Sequence, residues 1–330
     1  MSETRISFQE MHRTLEAALL KYGLAPETAE LSARLFSETS RDGVYTHGVH
    51  RFESYVENIR NGSIVVDAVC RPVSAYGALE RWDGQRGPGN VNAYRCMDRA
   101  VEIAQQHGLG MVALANTNHW LRGGTYGWQA AERGAMAILW TNTIGLLPPW
   151  GSQKPVLGNN PLIFAVPRSA GHVVLDFAQS QYSFGVLDQY RKRGEQLPWA
   201  GGFDGSGQLT TDPAAILESV RPLPIGLWKG SGLALLLDMF AALLSGGRST
   251  ADISHDGVER AVSQIFIAIS PDHQLYAAER DRVLDAIIAH ATSAGPEVRY
   301  PGERVLKDRA HNQQHGIPVD ADVWQRILAL

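Results

Sequence analysis

Residues 46–52 read Thr-His-Gly-Val-His-Arg-Phe and precede a stretch with Phe52, Tyr55, Val56 and Ile59 at helical spacing. If a helix opens at Thr46, His47 and Arg51 stand four residues apart on one face. His47 then lies in the first turn, where free backbone N–H groups and the positive end of the helix dipole gather. A proton-transfer group beside a guanidinium suits chemistry on a small carboxylic acid. The competing reading is a structural histidine, the ordinary fate of a lone imidazole, against which stands the pairing with Arg51.

Other segments could contribute. Residues 226–232 read Gly-Leu-Trp-Lys-Gly-Ser-Gly and lead into an apolar helical stretch. That is either an anion cradle, with Lys229 as a point charge at a helix N-terminus, or a glycine-rich turn before a core helix. Asp176 closes the apolar run Val173-Val174-Leu175. A carboxylate there can orient an imidazole or hold a ribose, although taken by itself the position favours a turn or cap. His47, His50 and His119 could be suspected of binding a metal, but no carboxylate or cysteine cluster accompanies them, and no metal site is assigned. Neither the G-x-G-x-x-G fingerprint nor a P-loop is present; Gly84, Gly87 and Gly89 have the wrong spacing. No Ser or Cys sits in a nucleophile-elbow pattern.

The elements that must position these groups fall into two textures. The first sixty or so residues predict helices: one started by Ser7 and stopped by Gly23, one over 26–38, and one from Thr46 to Asn61-Gly62. Beyond about residue 70, short apolar runs at 111–115, 136–140, 162–166, 173–177 and 264–269 predict buried strands. Helical patterns alternate with them, from Gly89-Asn90 to about His107, then over 125–132, 231–244 and 277–294. The tail 320–330 predicts a short helix with Val323, Trp324, Ile327 and Leu328 inward, while 195–212 and 295–318 predict long loops.

The 330 residues are 44% hydrophobic and 19% charged, with a formal net charge of -4 and no long charged run. That disfavours disorder, and it disfavours nucleic acid and anionic membranes as partners. Cys70 and Cys96 form neither a disulfide framework nor a metal knuckle, consistent with a reducing compartment. The N-terminus has no apolar signal core, and the most apolar stretch, 232–244, contains Asp238 and is short for a bilayer span. A soluble cytoplasmic protein is expected.

With these blocks in hand, the chain resembles the malate/lactate/ureidoglycolate dehydrogenase family of non-Rossmann NAD(P)-dependent enzymes. The resemblance rests on Thr46-His47-Gly48, Asn118-His119-Trp120, Arg122-Gly123-Gly124-Thr125-Tyr126-Gly127 and Trp140-Thr141-Asn142. Pro148-Pro149-Trp150-Gly151, Gly158-Asn159-Asn160-Pro161-Leu162 and Trp228-Lys229-Gly230-Ser231-Gly232 extend it nearly end to end. Gly43-Val44-Tyr45, Gln196-Leu197-Pro198, Gly201-Gly202-Phe203-Asp204 and Ser263-Gln264-Ile265-Phe266 place the chain nearest members that reduce a diketo sugar acid. Thr46 replaces the commoner serine, and either hydroxyl can cap a helix. The stretch Phe177-Ala178-Gln179-Ser180-Gln181-Tyr182 departs from a methionine-rich version that borders the expected nicotinamide pocket.

The resemblance implies an α/β (α+β) fold. A discontinuous helical domain from residues 1–70 and about 296–330 joins a sheet-containing, NAD-binding and catalytic domain over 71–295, whose sheet is largely antiparallel. It implies His47 as proton donor, Asp176 as its orienting carboxylate, and Arg51, His119 and Thr141 as substrate contacts. For the cofactor it implies His172, Val173, Val174, Leu175, Asp176, Phe177, Ala178, Trp228, Lys229, Gly302, Glu303 and Arg304. The expected enzyme is a homodimer, with residues of both subunits completing a site. It passes a hydride from NADH, with NADPH the alternative, to a small 2-oxo acid. Another 2-hydroxy acid dehydrogenase or a cyclic imino acid reductase are rivals of the same kind; a His-based metal-dependent hydrolase and a sugar-acid binding protein are rivals of other kinds.

Overall fold

The computed structural model describes residues 3–270 and 277–330. Near the N-terminus the Ser7 hydroxyl accepts the Glu10 N–H at 3.2 Å and starts the helix Phe8–Lys21. Pro26, which has no N–H to lose, opens the helix Pro26–Arg41. Met11, Leu15, Leu19, Ala33 and Phe36 from these helices are fully buried with Phe52 and Val56 of the helix Phe52–Arg60. Trp324 and Ile327 of the C-terminal helix Ala321–Leu328 complete this cluster. Strands Glu3–Ile6 and Ile317–Asp320 pair antiparallel beside it, so the two chain ends share one core.

The seven-stranded sheet runs in the order Arg71–Tyr76, Leu79–Asp83, Leu109–Thr117, Val262–Ile269, Met136–Thr141, Leu162–Val166, Val173–Phe177. All neighbours are antiparallel except Leu79–Asp83 with Leu109–Thr117. Helices Gly89–His107 and Gly124–Glu132 cover one face, burying Met97, Val101, Val112, Leu139 and Phe266. The helix Trp228–Ser245 covers the other through Leu237 and Ala241, against Trp140, Leu162 and Ile265. The result is the expected mixed α/β fold with a largely antiparallel sheet.

Four expectations change. Residues 46–51 are not α-helical: two 3-10 turns, Tyr45–His47 and Val49–Arg51, precede the helix Phe52–Arg60. Gly48, at φ -100 and ψ -129, leaves helical geometry, and the Val49 N–H donates to Ser40 Oγ at 2.9 Å instead of continuing a helix. A Cβ on Gly48 would lie 2.3 Å from that same Oγ, so the turn requires glycine. The second change is in 295–318, which contains the helix Glu303–His315 rather than one long loop. Third, Leu328 is 52% exposed, not inward; the buried stripe ends at Ile327. Fourth, the apolar helix is longer than its core run: Trp228–Ser245 has 18 residues, enough by length and composition to cross a bilayer. Asp238 within it accepts the Asn142 side-chain amide at 2.9 Å and the Thr250 N–H at 2.8 Å.

A buried charge cluster ties the shared terminal core to the sheet. Asp42, after the helix Pro26–Arg41, receives Arg122 at 2.8 Å and a two-pronged contact from Arg309 at 2.8 Å on each oxygen. Burial would raise the Asp42 carboxyl, but the Arg309 hydrogen bonds and the Arg122 and Arg309 charges hold it below its ordinary value. Asp42→Asn leaves Arg122, 4% exposed, without its counter-charge, and should cost about 3–5 kcal/mol in denaturant unfolding. Because the Asp42 pKa is lowered on folding, its contribution is present above the unfolded carboxylate range and fades as pH falls below it. A variant as stable as wild type would show that the cluster contributes nothing net.

Candidate active site

His47 and His119 meet where the terminal core abuts the sheet. Their rings stack with centroids 6.2 Å apart and planes 16° from parallel. Each is held by its own turn. His47 Nδ1 lies 3.2 Å from the Thr46 hydroxyl. Thr46 is therefore a partner of the imidazole rather than the helix cap expected of it. The backbone N–H groups around it are also occupied, with His47 and Gly48 N–H both donating to Val44 O at 3.1 Å. The helix-terminus field expected at His47 has no helix to supply it.

His119 follows Asn118, whose buried amide donates to the carbonyls of Ser63, Arg86 and Gly87 at 3.1, 2.6 and 3.0 Å. Gln264 donates to Asn118 O at 3.1 Å from the central strand. Leu121 then turns to φ 69, unusual for a leucine, and its N–H donates to His119 Nδ1 at 2.9 Å. Nδ1 is thus an acceptor, so neutral His119 carries its proton on Nε2.

Nε2 faces a group that the sequence reading did not single out. Glu259 Oε1 is 3.9 Å from it, while Glu259 Oε2 accepts the Ile144 N–H at 3.1 Å. Glu259 sits between the helix Thr250–Asp256 and the strand beginning at Val262, two residues before Ala261 at φ 55. No spacing or composition signal marks a loop glutamate of this kind; only the fold brings it to His119.

Asp176 is placed with equal care. Its Oδ2 accepts the Gly124 N–H at 2.8 Å, at the start of the helix Gly124–Glu132. A Cβ on Gly124 would lie 2.7 Å from that oxygen, so any larger residue displaces the carboxylate. The fields of these groups meet at His47. Desolvation first, then His119, lower its pKa to about 4; Asp176 pulls it up, and Arg51 and Arg122 push it down. Desolvation and Arg51 take His119 down to about 3. Burial raises Glu259, opposed by the Ile144 N–H and Arg51. The positive charge of the exposed Arg51 is felt at all three groups.

Not every expected residue joins this centre. His50 is exposed, its ring 6.4 Å from that of Tyr45. Among the described residues, no group of three or more His, Cys, Asp and Glu is placed to hold a metal ion. Thr141 is buried at a strand end, its hydroxyl within reach of the carbonyls of Asn142 and Ser263 at 2.9 and 3.1 Å.

The residues assigned to a dinucleotide lie along one sheet edge. Val173–Phe177 has a strand partner on one side only, and Leu175 and Asp176 are exposed. The loop before the helix Glu303–His315 lies against it, with Val174 N–H donating to Pro301 O at 3.2 Å. His172 Nδ1 accepts the Arg168 N–H, and Arg304 is 79% exposed beside Asp308. At the far end, Gln179 O accepts the Ile225 N–H at 2.8 Å and brings the Trp228–Lys229 segment alongside. Trp228 is 66% exposed. An open strand edge, a free indole and a lysine on one rim fit a nucleotide-sized ligand. The helix N-terminus itself contributes less than expected: the N–H groups of Lys229, Gly230 and Ser231 already donate to Gly226, Ile225 and Leu227 carbonyls. The Lys229 ammonium is then the main anion-binding element of that segment.

Comparison with known proteins bears on this geometry. A family profile described as Malate/L-lactate dehydrogenase matches residues 6–328. A protein of Citrobacter koseri named 2,3-diketo-L-gulonate reductase is 45% identical over 332 residues, covering 99% of this chain and all of the relative. A reductase of the same name from Escherichia fergusonii matches equally, at 45%. Among solved structures, malate dehydrogenase from Entamoeba histolytica shares the fold at TM-score 0.92 and 23% identity, covering 99% of this chain and 96% of that one. The delta1-piperideine-2-carboxylate reductase of Pseudomonas syringae superposes at TM-score 0.88 and 26% identity, with 99% of each chain covered. With its histidine pair, carboxylates and open strand edge set in that fold, the chain belongs to the malate/L-lactate dehydrogenase family and is an oxidoreductase of hydroxy and oxo acids.

Proposed function

We propose that this enzyme uses NADH to reduce the keto group of a 2-oxo sugar acid, 2,3-diketo-L-gulonate being the first candidate, with His47 as proton donor. The reading is carried by the stacked His47–His119 pair under the opposed fields of Asp176 and Arg51. The candidate substrate comes from the 45% identical relatives. A bound nicotinamide dinucleotide supplies the hydride equivalent. The chain does the rest: Arg51 holds the substrate carboxylate, and His47 Nε2, free because Thr46 engages Nδ1, donates a proton to the developing alkoxide. His119 Nε2–H donates to the same end of the substrate. Asp176 favours the charged form of His47, and the substrate carboxylate adds to that by offsetting Arg51.

For the cofactor, His172 to Ala178, Trp228, Lys229 and Gly302 to Arg304 would form the rim. NADH is favoured because Glu303 is a carboxylate, held below its ordinary pKa chiefly by its hydrogen bond to Lys307, and such a group suits a ribose hydroxyl better than a phosphate. Assaying NADH and NADPH against a panel of 2-oxo acids and a cyclic imino acid tests both choices. Turnover of only the imino acid, or with NADPH alone, would replace this reading. Arg51→Ala should raise KM for the oxo acid by about 10- to 150-fold while leaving NADH binding unchanged, since a charge-assisted contact of this kind is worth roughly 1.5–3 kcal/mol.

We also propose a homodimer through the outer face of the helix Trp228–Ser245. Leu236, Met239, Phe240 and Leu243 are 52, 46, 55 and 75% exposed there, an apolar surface that a second copy would cover. Phe240→Glu should halve the mass seen by light scattering. A monomeric wild type would remove this proposal.

A further inference from the structure

Glu259 is the one carboxylate at the histidine pair without a role in the proton transfer. Its placement is built rather than incidental. One oxygen is fixed by the Ile144 N–H at 3.1 Å, and the other points to His119 Nε2 at 3.9 Å, too far for a direct hydrogen bond. That leaves Oε1 with acceptor capacity beside the imidazole that stacks on His47. The loop carrying it turns at Gly257, φ 69, and holds the non-glycine Ala261 in the unfavoured left-handed region at φ 55. The opposite turn does likewise at Leu121, whose N–H fixes which His119 nitrogen faces Glu259.

The site thus has two signs of charge at two places. Arg51 is the cation for the carboxylate next to the reacting ketone. Glu259 is a carboxylate facing His119 Nε2, where it can accept hydrogen bonds from hydroxyl groups and, in its ionised form, repels a second carboxylate. Burial raises the Glu259 carboxyl on balance, and the Ile144 amide and the field of Arg51 oppose that shift.

We propose that Glu259 is a specificity-determining residue, selecting monocarboxylic 2-oxo acids with a hydroxylated tail against dicarboxylic ones such as oxaloacetate. This rests on the oxo acid reductase reading above and names the substrate class within it. Discrimination comes from the repulsive element as much as from the attractive one. Glu259→Gln keeps an acceptor for the Ile144 N–H and removes the charge.

The test compares wild type and Glu259→Gln on 2,3-diketo-L-gulonate, 2-oxobutyrate and oxaloacetate, each with both cofactors. In wild type, kcat/KM should be highest for the hydroxylated acid and lowest for oxaloacetate. In the variant, the ratio of oxaloacetate to 2-oxobutyrate should rise roughly 10-fold or more, the size expected when a like-charge juxtaposition is relieved. If all three fall together and the ratio stays within about twofold, Glu259 is only structural and the proposal is wrong. A second measurement needs no variant: in wild type, malate should inhibit reduction at least about tenfold more weakly than 2-hydroxybutyrate, and equal or tighter inhibition by malate overturns the proposal. Failure of wild type to reduce any of the three acids would sink the functional reading and this inference with it; turnover with an unmoved ratio sinks the inference alone.

Discussion

Replacing His47 by asparagine should lower kcat for 2-oxo acid reduction by about 10²–10⁴-fold, the range set by loss of a positioned general acid. Asparagine keeps a polar group that can meet the Thr46 hydroxyl, now 3.2 Å from His47 Nδ1, so the turn 45–51 should survive. NADH affinity, read by fluorescence titration, should stay within about twofold, because the strand edge Val173–Phe177 does not depend on the imidazole. The thermal midpoint should also hold, since a neutral histidine is being replaced by a neutral amide. The diagnostic pattern is therefore lost turnover with retained cofactor binding. Wild-type turnover in His47→Asn would remove the residue from the chemistry altogether. His119→Asn provides the internal comparison: it leaves the proton donor in place but loses the Nε2–H, so its effect should be smaller and weigh more on KM.

How this site came together explains what could be read from residues alone. Strands such as Val173–Phe177 and Leu162–Val166 are legible because buried β structure must be apolar and bounded by turns. The hairpin Arg71–Tyr76 with Leu79–Asp83 carries no such signal: its first strand is exposed at every residue, and an edge that holds Arg71, Pro72 and Ser74 beside Val73 and Tyr76 shows no apolar alternation. The helix Glu303–His315 is hidden for a similar reason. It is held largely by polar contacts, Arg309 to Asp42 and Asn312 to Arg41 O, which leave little hydrophobic periodicity. In the site, His47 and Arg51 are visible because their types are rare and close in sequence, yet the helix that seemed to explain them is absent. The decisive partners, His119, Asp176 and Glu259, arrive from 72, 129 and 212 residues further on, as the numbering of the chain shows. Backbone devices such as the left-handed Leu121 and the close approach at Gly124 set their orientation, and no side-chain pattern encodes those for a reader of sequence.

The pH dependence of the reaction should fall almost wholly on the reduction direction. Reduction of an oxo acid consumes one proton, so the ratio of kcat/KM for reduction to that for oxidation must change tenfold per pH unit, whatever the enzyme does. Which direction carries that change depends on the resting state of the proton donor. Here desolvation and the neighbouring His119, Arg51 and Arg122 outweigh Asp176 and bring His47 down to about 4, so the resting imidazole is neutral at physiological pH. A lowered histidine pKa means that protonation occurs only on the acid side, and the protonated fraction drops tenfold for each unit above it. Between roughly pH 5 and 8, log kcat/KM for reduction should therefore fall with a slope near -1, about a thousandfold in all, while that for oxidation stays level because the base form is already present. The kcat profile should break at higher pH than kcat/KM. A bound carboxylate offsets the charge of Arg51, one of the groups that depresses His47, and so restores part of its basicity in the complex. Glu259→Gln should leave this slope in place, since Glu259 is not among the groups that set the His47 proton. A level reduction profile with the pH dependence on oxidation would mean instead that neutral His47 donates its own N–H, and the carboxylate at Asp176 would then serve orientation rather than charge.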